Sequence, residues 1–164
     1  MRKIYFFYFL LLLPFALNAQ EVPVDNKFKG EWLLDYVVVY ENQQGGSEEF
    51  TKWKVSAEEF SQYEYLRDMP IVISFYEVYH GLIAGTYYQY SVQPLMNEKG
   101  ELVFRERIER NDMPYDEESL RMVGPVLNNL QFSGSSISVD YNFTYRNAQN
   151  QEIQGYAQIF YKSK

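Results

Sequence analysis

The sequence predicts an all-β fold: an antiparallel up-and-down barrel of about eight strands with one or two short helices, a two-sheet β-sandwich being the alternative. Three observations predict it. Short runs rich in Val, Ile, Tyr, Phe and Trp follow one another, with turn residues between them. Residues 28–40 carry an unbroken apolar or aromatic row at every second position from Trp32, with Glu31 and Asp35 on the opposite row, and 137–145 alternate apolar and polar side chains, the period of a strand with one buried face. An eight-strand meander can also close on itself, which removes the exposed edges of an open sheet.

Residues 1–19 begin with Arg2 and Lys3, run almost wholly apolar from 4 to 17, and end in the small residue Ala19. This is the pattern of a secretory signal peptide. Its apolar core is shorter than the roughly 20 residues that cross a bilayer, so no stable membrane anchor is expected. Residues 20–164 then form a single domain, exported to the periplasm or secreted, and a monomer is expected.

Residues 20–27 lead into the first strand, 28–40, whose inward row is Trp32, Leu34, Tyr36, Val38 and Tyr40. Gly30 lets the backbone pass close to a neighbour, and Trp32 supplies a ring large enough to close one end of a barrel. A loop over 42–49 precedes a short strand, 50–55, with Trp53 inward. Ser56 and Glu59 have the spacing of a capping box, which starts a helical turn or two reaching about Tyr65. Arg67-Asp68-Met69-Pro70 ends it.

Residues 71–79 and 82–92 form a hairpin around His80-Gly81. Residues 101–110 follow as a strand with Leu102, Phe104 and Ile108 on one row, which Glu106 interrupts. Asn111-Asp112-Met113-Pro114 turns, and 116–123 form a short helix stopped by Gly124-Pro125. Residues 127–132, 137–145 and 153–161 complete the strands, with Gly155 as a bend in the last.

The composition excludes several function classes. The chain carries 15 basic against 22 acidic residues, a net charge of −7, and loss of Arg2 and Lys3 with the signal makes it more negative. Phosphate backbones and anionic lipid surfaces are repelled by such a chain, so neither nucleic acid nor a membrane surface is the expected partner. There is no cysteine, hence no disulfide framework, thiol nucleophile or thiolate metal site. The single histidine, His80, sits where a turn is expected and reads as solvated, without partners for a metal or triad. Glu48-Glu49, Glu58-Glu59 and Asp116-Glu117-Glu118 fall in loops and helix starts and read as solvated charge; Asp112, Asp116 and Glu118 lack calcium-loop spacing. No nucleophile and base pair is visible, so the expectation is a protein that is not an enzyme and uses no cofactor.

The residues most suited to binding are aromatic. Tyr76, Tyr79, Tyr87, Tyr88 and Tyr90 crowd one hairpin, where phenol rings with one wet end suit an amphipathic pocket or a stacking platform, and are also good strand formers. Glu106 on an apolar row must be paired, protonated or beside a wet cavity. It is either a polar spot in a ligand cavity or a sign that the row is assigned one residue out of step. The candidate ligand-binding set is Trp53, Tyr76, Tyr88, Tyr90, Phe104, Glu106 and Tyr141, with Gly30 and Trp32 as the barrel closure.

A leader, Phe28-x-Gly30-x-Trp32 opening the first strand, about eight meandering strands and the final run Ala157-Gln158-Ile159-Phe160-Tyr161-Lys162 together resemble the lipocalin and fatty-acid-binding protein (calycin) superfamily, in particular small bacterial lipocalin-like proteins. The resemblance implies a barrel that holds a small apolar or amphipathic ligand. It also implies a basic residue from the last strand packed on the first-strand Trp, for which Lys162 is the candidate, with Arg146 one strand earlier. Fatty-acid-binding relatives hold a carboxylate head with Arg-x-Tyr near the chain end; Phe160-Tyr161-Lys162 departs from that, which weighs against fatty acids. The expected function is carriage of a small amphipathic molecule, the alternative being an exported interaction or inhibitor module with a filled barrel.

Overall fold

The computed structural model describes residues 21–42, 50–77, 80–108 and 119–164. Ten strands are present among them: β1 (Val22–Pro23), β2 (Gly30–Asn42), β3 (Phe50–Ser56), β4 (Pro70–Glu77), β5 (His80–Gly85), β6 (Gln89–Met96), β7 (Leu102–Ile108), β8 (Ser119–Ser133), β9 (Ser136–Arg146) and β10 (Glu152–Ser163). Eight of them close a ring in the order β6-β5-β4-β2-β10-β9-β8-β7 and back to β6, every pair antiparallel. The fold is therefore the closed barrel rather than the sandwich. It is a meander from β4 to β10, and the long β2 closes it by pairing with the last strand.

β2 serves three neighbours. Along one edge it pairs with β10 from Trp32 to Glu41. Along the other it pairs with β4 over Gly30 to Leu33 and then with β3 from Tyr36 to Asn42. The change of neighbour coincides with a bulge. Phe160 faces Tyr36 and Tyr161 faces Leu34, so Asp35 is an extra residue in β2.

That extra residue corrects the predicted inward row. Trp32 and Leu34 are buried as expected, but beyond Asp35 the buried residues are Val37 and Val39. Tyr36, Val38 and Tyr40 lie on the other face of the strand and are only half-buried. There Tyr36 stacks on Phe160, with ring centroids 4.5 Å apart, and Tyr40 stacks on Tyr156 at 4.4 Å. Cross-strand aromatic pairs of this kind stabilise a sheet without entering its core.

Much of the centre is tightly packed. Val37, Val39, Ile73, Ile83, Leu102, Phe104, Leu127, Ile137, Val139, Ile159 and Tyr161 each keep at most 1% of their surface accessible. Side chains with so little accessible surface border no water-sized void, which is the packing expected of a barrel of this strand number. Trp32 is buried near the start of β2. Its indole Nε1 donates to the Phe28 carbonyl at 2.7 Å, and its ring meets Phe132 edge to face at 6.0 Å. Phe28 continues the cluster to Phe75 and Phe132. Gly30 is required by its backbone, with φ of 140°, and a Cβ there would meet nothing within 4 Å; close approach to a neighbour is not its role.

Other expectations are corrected. No α-helix forms over 56–65: Phe60–Gln62 is a 3-10 turn, although Glu59 does reach back to Ser56, accepting from its hydroxyl at 2.9 Å. Residues 119–123 belong to β8, which runs on through Gly124 and Pro125, because pairing with β7 overrides the local stop signals. His80 and Gly81 lie in β5 and not in a turn, and 82–92 is two strands, broken at Thr86, Tyr87 and Tyr88. The expected signal peptide, the loop at 43–49 and the Asn111 to Pro114 turn lie outside the described residues.

Candidate functional site: a tyrosine-lined rim

The connection between β3 and β4, residues 57–69, is folded into successive three-residue turns. Backbone N–H groups of Gln62, Tyr63, Leu66 and Met69 donate to carbonyls three residues earlier, at 2.9 to 3.1 Å. Three residues per turn places Phe60, Tyr63, Leu66 and Met69 on one side. Phe60, Leu66 and Met69 are buried, and Glu58, Ser61, Gln62, Glu64, Arg67 and Asp68 are exposed. The connection is thus an amphipathic strap laid against the core.

Tyrosines fasten this strap. The Tyr161 hydroxyl donates to the Pro70 carbonyl and the Tyr88 hydroxyl to the Asp68 carbonyl, both at 2.8 Å. Tyr65, on the strap, stacks on Phe143 at 4.3 Å and on Tyr145 at 4.7 Å. Tyr145 donates to Glu41 Oε1 at 2.9 Å, and the Glu41 charge also acts on the Tyr65 phenol. Burial is the main cause that raises the Tyr65, Tyr88, Tyr141 and Tyr161 phenols above their ordinary range. Asp68 adds to the rise at both Tyr88 and Tyr141. Tyr145 is pushed up to about 12, by burial first and then by its bond to Glu41. All five stay neutral across the physiological range, and Tyr88, Tyr145 and Tyr161 act as donors.

Where β2 passes from β4 to β3, an open depression of about 470 Å³ forms beside the strap. Leu34, Phe60, Ala57 and Ile71 give it an apolar lining, and Ser61 and Thr86 bring hydroxyls to it. Such a lining suits an apolar group with a polar end.

The predicted binding residues separate into two groups. Tyr88, Tyr90 and Tyr141 come together around the strap: Tyr88 and Tyr90 stack at 5.6 Å, and Tyr88 and Tyr141 both face the charge of Asp68. Trp53 is half-buried against the same core. Tyr76 is exposed and Phe104 is buried, and neither lines the depression. Glu106 faces Arg121 on β8, whose Nε and Nη2 donate to Glu106 Oε2 at 2.8 and 2.6 Å. Its side chain is 26% exposed, and the charge is paired on the same row of β7 as the buried Leu102 and Phe104.

Lys162 bonds Asp35 at 3.1 Å and is exposed, and Arg146 bonds Asn150, so neither packs on Trp32. Sequence reasoning missed Tyr65, Tyr145 and Glu41, which only the folded strap brings together. The signal that could have found the strap is the apolar period of three at 60, 63, 66 and 69.

Among the described residues no group of three or more His, Asp or Glu is placed to hold a metal ion, and no helix is long and apolar enough to cross a membrane. No protein-family model matches the chain, and no curated protein or solved structure matches it.

Proposed function

We propose that this is a non-enzymatic, exported recognition module, in which the barrel is a filled scaffold and the tyrosine-lined rim around the strap contacts the partner. The observation that carries this reading is the packed centre. With the interior residues at 0 or 1% accessibility, an enclosed ligand would have to displace core side chains. The polar aromatic surface lies outside that core, with Tyr87 76% exposed at the β5–β6 turn and Tyr63, Tyr65, Tyr90 and Tyr145 half-buried nearby in sequence or contact. Tyrosine is enriched where proteins bind one another, because it offers area and a hydroxyl at low entropic cost. Kinship with lipocalin-like proteins fits the eight-strand ring, the closing pair β2–β10 and Gly30-x-Trp32 at one end. Lys162, paired with Asp35 at the surface, departs from that pattern.

The test is a titration of the exported chain with lipophilic and aromatic probes, following Trp32 and Trp53 fluorescence. A scaffold gives no saturable enclosed binding. A photo-reactive group placed at Tyr87 should meanwhile cross-link a protein partner in the native compartment. One-to-one capture of a probe with strong Trp32 quenching would overturn the reading in favour of an interior carrier.

A second reading is favoured by the depression at the β2 fork: a small amphipathic molecule held beside the strap and not within the barrel. Ala57→Trp would fill that space. Loss of probe binding in this variant, with Trp32 emission unchanged, would support it.

A further inference from the structure

β3 stands outside the ring. Among the described residues it pairs with β2 alone, so one of its edges carries backbone N–H and C=O groups that meet no neighbouring strand. An antiparallel strand turns alternate residues toward each side, so about half of β3's backbone groups point to that edge. Natural edges are commonly guarded by lysine side chains. β3 does carry Lys52 and Lys54, but both lean back across β2: Lys54 Nζ is 3.5 Å from the Tyr36 ring centroid and Lys52 Nζ 5.1 Å from that of Tyr40. Among the described residues, the edge they would guard is left open, with a positive strip beside it.

We propose that β3 is a docking edge for an extended segment of another protein, one that alternates acidic and apolar residues and adds to the sheet as a further strand. Two features set the chemistry of the segment. On the outer face Lys52 and Lys54 are exposed and, among the described residues, form no ion pair. On the opposite face Trp53 is half-buried and Val55 is buried. A strand laid alongside therefore meets positive charge on one face and apolar surface on the other, and the period of two selects alternation.

A second copy of the chain is the poorer occupant. Antiparallel self-pairing centred on Trp53 sets Lys52 opposite Lys54, and like charges directly opposite destabilise a pair. The net charge of −7 repels a strongly acidic body as a whole. Affinity then comes from ladder hydrogen bonds and apolar contact, with the two lysines fixing sign and register. The inference is independent of what the rim or the depression holds.

The experiment uses two synthetic peptides that span the length of β3, one alternating Glu and Val, the other Lys and Val. Binding to the exported chain is followed by backbone amide shifts and by Trp53 emission. The expected result is that the Glu-Val peptide binds, with amide shifts concentrated in β3, and the Lys-Val peptide binds at least about tenfold more weakly. The double variant Lys52→Glu, Lys54→Glu, both at exposed positions, should reverse that preference with its unfolding midpoint little changed. Equal binding of the two peptides, binding of neither, an unreversed preference in the variant, or concentration-dependent self-association with shifts in β3 would each overturn the proposal.

Discussion

Tyr161, in the last strand, donates its hydroxyl to the carbonyl oxygen of Pro70, 91 residues earlier, at 2.8 Å and with no exposure to water. One bond thus joins the strand that completes the ring to the end of the strap. Removing only the hydroxyl, as in Tyr161→Phe, leaves that carbonyl buried without a partner. The expected loss is about 1–3 kcal/mol, read by denaturant unfolding. A loss under about 0.5 kcal/mol would mean that water or another donor reaches Pro70.

Alkaline pH should loosen the strap. Tyr145 is held at about 12, and Tyr65, Tyr88 and Tyr161 are also raised by burial. Each folded value lies above the unfolded one of about 10, so the native state keeps protons that the unfolded chain releases. Stability from these groups is complete below about pH 10 and falls as the pH rises from there through 12. The denaturation midpoint should decline over that interval, and the phenolate absorbance of these rings should appear together with unfolding. A midpoint constant to about pH 12 would contradict the assignment.

Trp32→Ala should cost about 3–5 kcal/mol, the usual range for a buried aromatic, because the ring packs on Phe132 and its indole N–H is satisfied by Phe28. Denaturant unfolding measures it. A change below about 1 kcal/mol would place the ring outside the core.

Deleting Asp35 should be tolerated by the pairing of β2 with β10, whereas a second residue inserted beside it should not be. Asp35→Ala removes only the exposed bond to Lys162, worth at most about 1 kcal/mol. Deletion removes the bulged residue and leaves Trp32, Leu34, Val37 and Val39 at every second position, whereas an insertion adds a residue that the pairing with β10 does not accommodate. Near-ultraviolet circular dichroism should keep its native form in the substitution and the deletion and lose it in the insertion.

Gly155→Ala should destabilise by about 1–3 kcal/mol, since its Cβ would lie 2.5 Å from the Tyr40 carbonyl oxygen and 2.6 Å from the Phe143 ring. A thermal melt reads the change. No loss would require both neighbours to shift freely.

The ring was legible wherever burial follows chemistry at a fixed period. Residues 137–145 read as a strand and are one, and Trp32 reads as inward and is buried. The bulge was not legible, because Tyr36, Val38 and Tyr40 continue the row of Trp32 and Leu34 with side chains that can also be buried, and no residue type marks where one row gives way to the other. The β8 strand was misread because Gly124-Pro125 stops a helix locally, whereas pairing with β7 acts from a distance. Half of the site was found for the same kind of reason. Tyr88, Tyr90 and Tyr141 stood out by type. Tyr65, Tyr145 and Glu41 form a cluster only through contacts between β2, the strap and β9, which no local pattern encodes.

The pairing of β2 with β10 also sets a timetable. Trp32 and Glu41 find their partners only at residues 155–163, so the seam of the ring joins segments from opposite ends of the domain. Contacts that close so large a loop form late, and a chain dominated by them folds slowly. A nascent chain must release nearly its whole length before the cylinder can shut. Until then both β2 and β9 present open edges, and any factor that holds the chain during synthesis or transport would find its target there.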